Sequence, residues 1–120
     1  MGNRKVIPFL IWAILIAILS LMPTDKLPDP KITNIDKAVH LTMYGILSLL
    51  ACYGLANESR KRFFTIALFS ASYGFGLECC QGLFCTYRSF DWWDAVYNSL
   101  GAILGVVLFL IYVRIRKEKD

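Results

Sequence analysis

A chain of 120 residues that is 57% hydrophobic and only 18% charged has too small an interior to hide its apolar surface from water. Its mean hydropathy of +0.52 points to lipid as the solvent. The net charge of +4 does not mark a nucleic-acid binder, because the basic residues fall in short groups beside apolar runs and form no single face.

Four apolar runs, 6–22, 38–56, 63–84 and 95–113, are each close to the length that crosses about 30 Å of hydrocarbon at about 1.5 Å per residue. Backbone amides in lipid must bond internally, so the expected fold is all-α, an integral membrane four-helix bundle forming a single domain over 1–120. The first run follows Arg4 and Lys5 as a signal peptide would. Its end, Leu19-Ser20-Leu21-Met22-Pro23, lacks a small-x-small cleavage site, so a retained span is expected.

Pro23, Pro28 and Pro30 then forbid regular helix and predict an extended loop. Asn34 or Asp36 is placed to cap the second helix. Asp36, His40 and Tyr44, spaced i, i+4, i+8, share one face of it. The short connection 57–62 makes spans two and three an antiparallel hairpin. Span three carries Gly74 and Gly76, small enough for close helix approach, and then Glu78 and Gln81 three residues apart in its last turns. A loop at 86–90 holds Arg88. Span four opens with Trp92 and Trp93 at an interfacial position. Its polar stripe is Asp91, Asp94 and Asn98, followed by Gly101 and Gly105 at the spacing of a helix-packing motif.

Four spans put both termini on one side of the membrane. That side holds nine basic residues, Arg4, Lys5, Arg60, Lys61, Arg62, Arg114, Arg116, Lys117 and Lys119, and the other holds four, Lys26, Lys31, Lys37 and Arg88. Cytoplasmic flanks carry the excess, so both termini are expected inside the cell. The three polar stripes then fall together towards the outer surface. Each charged side chain in such a place costs about 2.5–3.5 kcal/mol at the centre of a span, so the set reads as a functional site. Taken singly the residues have plainer uses: Asp36 and Asp94 as caps, Tyr44 as an interfacial aromatic, Glu78 and Arg88 as an ion pair, His40 as an interhelical hydrogen-bond donor.

The pattern Asp36-Lys37-x-x-His40-x-x-x-Tyr44, then Glu78-x-x-Gln81, then Arg88 with Asp94, Asn98, Gly101 and Gly105 resembles the VanZ-like family of small bacterial membrane proteins. The resemblance runs from about Asp36 to Gly105. It implies a multi-pass protein of the bacterial inner membrane and a cell-envelope context, since the family is named for an accessory protein associated with lowered sensitivity to teicoplanin. It implies no reaction. The cysteines Cys79, Cys80 and Cys85 around Glu78 and Gln81 are a departure from the family's usual pattern.

Together the residues define a candidate ligand-binding set of Asp36, Lys37, His40, Tyr44, Glu78, Gln81, Arg88, Asp91, Asp94 and Asn98. The first reading is recognition of an envelope lipid or polyprenyl-linked cell-wall precursor, with Arg88 and Lys37 clasping a phosphate. The second is an enzyme acting on a lipid phosphate, with His40, Glu78 and Asp94 as the acid–base groups; no P-loop, serine elbow or zinc-protease signature accompanies it. The third is a structural or assembly role, and a transporter is the fourth, though transport sites lie nearer the midplane. No cofactor is expected. No metal is expected either, because Cys80 and Cys85 have no second cysteine pair to complete a zinc site. Cys85 is placed to bridge to Cys79 or Cys80 in an oxidising compartment, and Cys52 reads as a packed thiol.

Overall fold

The computed structural model describes residues 3–21, 33–55, 60–84 and 92–119, with the backbone alone for Asn3 and for 33–36. They form four helices, α1 (Asn3–Leu21), α2 (Thr33–Leu55), α3 (Arg60–Phe84) and α4 (Trp92–Lys119), and no strand among the described residues. Each helix is long and apolar enough to cross a membrane. The exposed side chains agree: Ile7, Ile11, Ile14, Phe64, Leu68, Leu104 and Leu108 point outward, where water would be a poor neighbour. The molecule is a multi-pass helical membrane protein.

The helices outrun the apolar runs. α2 starts at Thr33, ahead of both Asn34 and Asp36, so neither caps it from outside. α4 is 28 residues, about 42 Å at 1.5 Å per residue, and carries Arg114, Arg116 and Lys117 past the hydrocarbon. Pro8 sits inside α1, where one lost backbone bond is tolerated.

The most extensive interface joins α2 to α4, which run parallel. Glycine makes it possible. A Cβ at Gly101 would collide with the carbonyl of Leu41, and one at Gly105 with Ser48 Oγ and the carbonyl of Gly45. The two backbones therefore touch over about one turn, and the close packing supplies the dispersion that lipid exclusion does not. α1 and α3 flank this pair, each parallel to the other, and α1 does not touch α4 among the described residues.

Side chains from the flanking helices reach backbone carbonyls of their neighbours. Trp12 Nε1 donates to the Met43 carbonyl at 2.9 Å, and the Tyr73 hydroxyl donates to that of Ala13. Trp12 thus packs on α2. At the end where the chain begins, Phe9, Cys52, Phe63 and Val106 close an apolar core. Cys52 is buried there as a free thiol, as its sequence context predicts.

Candidate functional site: a polar cluster at one end of the bundle

α2 and α4 begin, and α1 and α3 end, at the same end of the bundle. Three of these helices bring ionisable or amide side chains inward there. Lys37 and His40 come from the first two turns of α2, Glu78 from the last two of α3, and Asp94 and Asn98 from the first two of α4. The spacings in the sequence place each group on an inward face. Only the fold places the faces opposite one another.

Four of the five are buried, and Lys37 is half-buried. Asn98 is 1% exposed, Glu78 2%, and His40 and Asp94 9% each. Their contacts form a chain across α2 and α4. The Lys37 ammonium donates to Asp94 Oδ1 in a short ion pair. His40 Nε2 faces Asp94 Oδ2 at 3.5 Å, while its Nδ1 lies 2.8 Å from Asn98 Oδ1. A carboxamide oxygen can only accept, so Nδ1 carries the proton and donates, and the ring's orientation follows. Asn98 in turn rests on Gly74 of α3: a Cβ there would lie 2.9 Å from Asn98 Cβ and from Tyr44 Cε1. Gly74 is the gap into which the histidine's partner fits, whereas Gly76 faces open space.

Glu78 completes the arrangement from the third helix. One donor atom from each of His40, Glu78 and Asp94 lies within 4.8 Å of the other two. An imidazole with two carboxylates at this separation can pass a proton, orient a polar ligand or coordinate a cation.

Of the predicted set, the structure gathers Lys37, His40, Glu78, Asp94 and Asn98, with Tyr44 buried one turn below His40. Gln81 goes elsewhere. Its Nε2 donates to the carbonyl of Ser20 at 2.7 Å and ties α3 to α1. Lys37, expected to clasp a phosphate, is paired with Asp94. The Asp36 side chain, Arg88, Asp91 and Cys85 lie outside the described residues, and with them the proposed Glu78–Arg88 pair and the Cys85 disulfides. Cys79 and Cys80 are free thiols. Trp92 and Trp93 are exposed at the rim, as an interfacial pair should be.

Sequence reasoning brought His40, Glu78 and Asp94 to one end of the bundle through topology, but did not find their contacts or the Lys37–Asp94 pair. Each partner sits on a different helix, so no spacing signals it. The helix-to-carbonyl anchors at Ser20, Met43 and Ala13 were equally silent, since any residue supplies a carbonyl.

The fold and site define a class, small multi-pass bundles with a buried polar cluster at one end. The chain belongs to the VanZ/LLP1 family, whose model matches residues 4–113. It is 36% identical over 120 residues to uncharacterized protein C11E3.10 of Schizosaccharomyces pombe, an alignment covering 98% of this chain and 70% of that protein. That relative is fungal, so family membership does not by itself assign a bacterial inner membrane. No solved structure matches the chain.

Proposed function

We propose that the polar end recognises the phosphate-bearing headgroup of a membrane lipid. The observation that carries this is the convergence of Lys37 with buried His40, Glu78, Asp94 and Asn98, drawn from three helices to one end of the bundle. Lys37 supplies a cationic donor for phosphate oxygens, and Arg88, between α3 and α4 in the sequence, is the second by this reading. His40 and Asn98, held in one orientation, read polar groups beside it.

By the basic-residue asymmetry this end faces outward, with both termini in the cytoplasm, and the likeness to VanZ-like proteins favours the inner membrane of a bacterial envelope. The ligand class includes a polyprenyl-linked cell-wall precursor, the reading that connects the site to teicoplanin. The kinship with a fungal protein favours the part of such a ligand that both kinds of membrane hold, a lipid-linked phosphate, over the peptide and sugar of a wall precursor.

Native mass spectrometry of the protein purified in mild detergent tests the proposal. Wild type is expected to carry a phospholipid or polyprenyl phosphate that Lys37→Met and Arg88→Ala lose. Folded wild type without lipid, or variants that keep it, would overturn the reading. A bacterium expressing the chain is expected to tolerate more teicoplanin, and to lose that tolerance with Lys37→Met.

One observation favours a second reading. His40 fixed by Asn98 and directed at Asp94 has the geometry of an oriented general base, so a hydrolase or transferase acting on the same phosphate is consistent with it. Release of phosphate from the co-purified lipid, abolished by His40→Gln, would separate catalysis from binding.

A further inference from the structure

His40 stands among donors of metal-ligating type. With Nδ1 on Asn98 Oδ1, the ring turns Nε2 towards Asp94 Oδ2, 3.5 Å away. Glu78 brings a further carboxylate to the same place, and one donor atom from each of the three residues falls within 4.8 Å of the others. Lys37 engages the other oxygen of Asp94, Oδ1, and leaves Oδ2 directed at the histidine. An imidazole and two carboxylates, one from each of three helices, thus converge inside the bundle.

We propose that His40 Nε2, Asp94 Oδ2 and one carboxylate oxygen of Glu78 hold a divalent cation, Mn²⁺ or Zn²⁺. The donor set, one imidazole and two carboxylates, suits borderline and moderately hard divalent ions and gives them three protein ligands with positions left open. Donor atoms this close need side-chain shifts on the order of half an ångström to reach bond lengths of about 2.0–2.2 Å. The outer contacts match what such a site requires. Asn98 accepts from the ring nitrogen remote from the metal, fixing tautomer and orientation, and Lys37 holds the remaining oxygen of Asp94. Gly74 lets Asn98 reach that position. Each ligand comes from a different helix, so the ion also ties α2, α3 and α4 together where their ends would otherwise splay.

The cation stands on its donors whether or not the site takes a lipid. It changes what the site attracts, because it sets two positive charges beside the carboxylates. The open positions then suit an anionic oxygen ligand. A metal readout and a lipid readout fail separately.

The test uses the full-length protein in mild detergent, stripped with a chelator and titrated with Mn²⁺ or Zn²⁺ alone. Wild type is expected to bind one of them stoichiometrically, followed for Mn²⁺ by loss of the free-ion paramagnetic resonance signal. Glu78→Gln is expected to weaken binding at least as much as Asn98→Ala, which acts only through the ring and should cost about 10–100-fold in affinity. Pulsed resonance of the bound Mn²⁺ in wild type should show coupling to one imidazole nitrogen, and that spectrum decides the matter even where a variant fails to fold. Wild type that binds neither ion, binding unchanged in folded Glu78→Gln, or bound Mn²⁺ without nitrogen coupling would each overturn the proposal.

Discussion

The two ends of this bundle solve the same packing problem with different materials. Where the chain begins, α2, α3 and α4 meet through Cys52, Phe63, Val106 and the tilted pair Phe63–Phe109, whose ring centroids are 6.1 Å apart. The groove beside them, between α3 and α4, is lined by Phe63, Ala67, Ala71, Ile103 and Val107 and no ionisable side chain. At the other end the same helices meet through an ammonium, an imidazole, two carboxylates and an amide. Apolar packing holds the first end without help, so the helices do not need polar glue to associate. Interhelical hydrogen bonds in membranes average only about 0.6 kcal/mol each, too little to justify burying charge for stability alone. The contrast argues that the polar end is kept for what it binds.

The sharpest way to break the comparison is to remove what both ends share, the α2–α4 contact. Gly105→Val places side-chain carbons where the Gly45 carbonyl and Ser48 Oγ already are, and backbone cannot step aside as a side chain can. Overpacking at this point is expected to cost more than about 3 kcal/mol. Folded protein should disappear from size-exclusion profiles in detergent. A variant that elutes and melts as wild type would show that the helices do not rest on these glycines.

A smaller effect separates structure from function at the polar end. Asp94→Ala leaves the Lys37 ammonium largely buried without its partner and is expected to cost about 3 kcal/mol. Replacing both, Lys37→Met with Asp94→Leu, removes the charges together and should return stability to within about 1 kcal/mol of wild type. The double variant is expected to melt normally in detergent yet retain no lipid. If it unfolds as readily as the single variant, the cluster is structural and the two ends differ only in chemistry.

How far the sequence foretold this arrangement depends on the distance over which each feature is decided. The four spans and the three polar stripes were legible, because run length and the helical period are properties of contiguous residues. The Gly101–Gly105 spacing was legible as a packing motif, but not its partners, the carbonyls of Leu41 and Gly45. Helix ends were read short: hydropathy detects the hydrocarbon-facing part, while Thr33–Lys37 and Arg114–Lys119 stay helical beyond it. Gln81 shows the limit most plainly. It shares a turn with Glu78, yet the rotation of α3 sends it to Ser20 on α1 and sends Glu78 to the cluster. No local pattern distinguishes the two. The distances among His40, Glu78 and Asp94 were out of reach for the same reason, since the three sit one to a helix and have no spacing to recognise.

Ser70 supplies the smallest effect and the finest test of the contrast between the two ends. It is fully buried in α3, one turn towards the apolar end from Gly74, and its Oγ has no hydrogen-bond partner among the described residues. Thr65 and Ser99, by comparison, donate to the carbonyls of Lys61 and Ala95 four residues back in their own helices. A buried hydroxyl without a partner contributes little, and its removal spares a desolvation cost of about 1–3 kcal/mol against the loss of a few contacts. Ser70→Ala should therefore leave the melting temperature unchanged or raise it, and leave lipid retention unchanged. A clear drop in either would mean that the hydroxyl bonds to something the protein takes up. The functional region would then extend from the His40 cluster past Gly74 and into the half assigned here to packing alone.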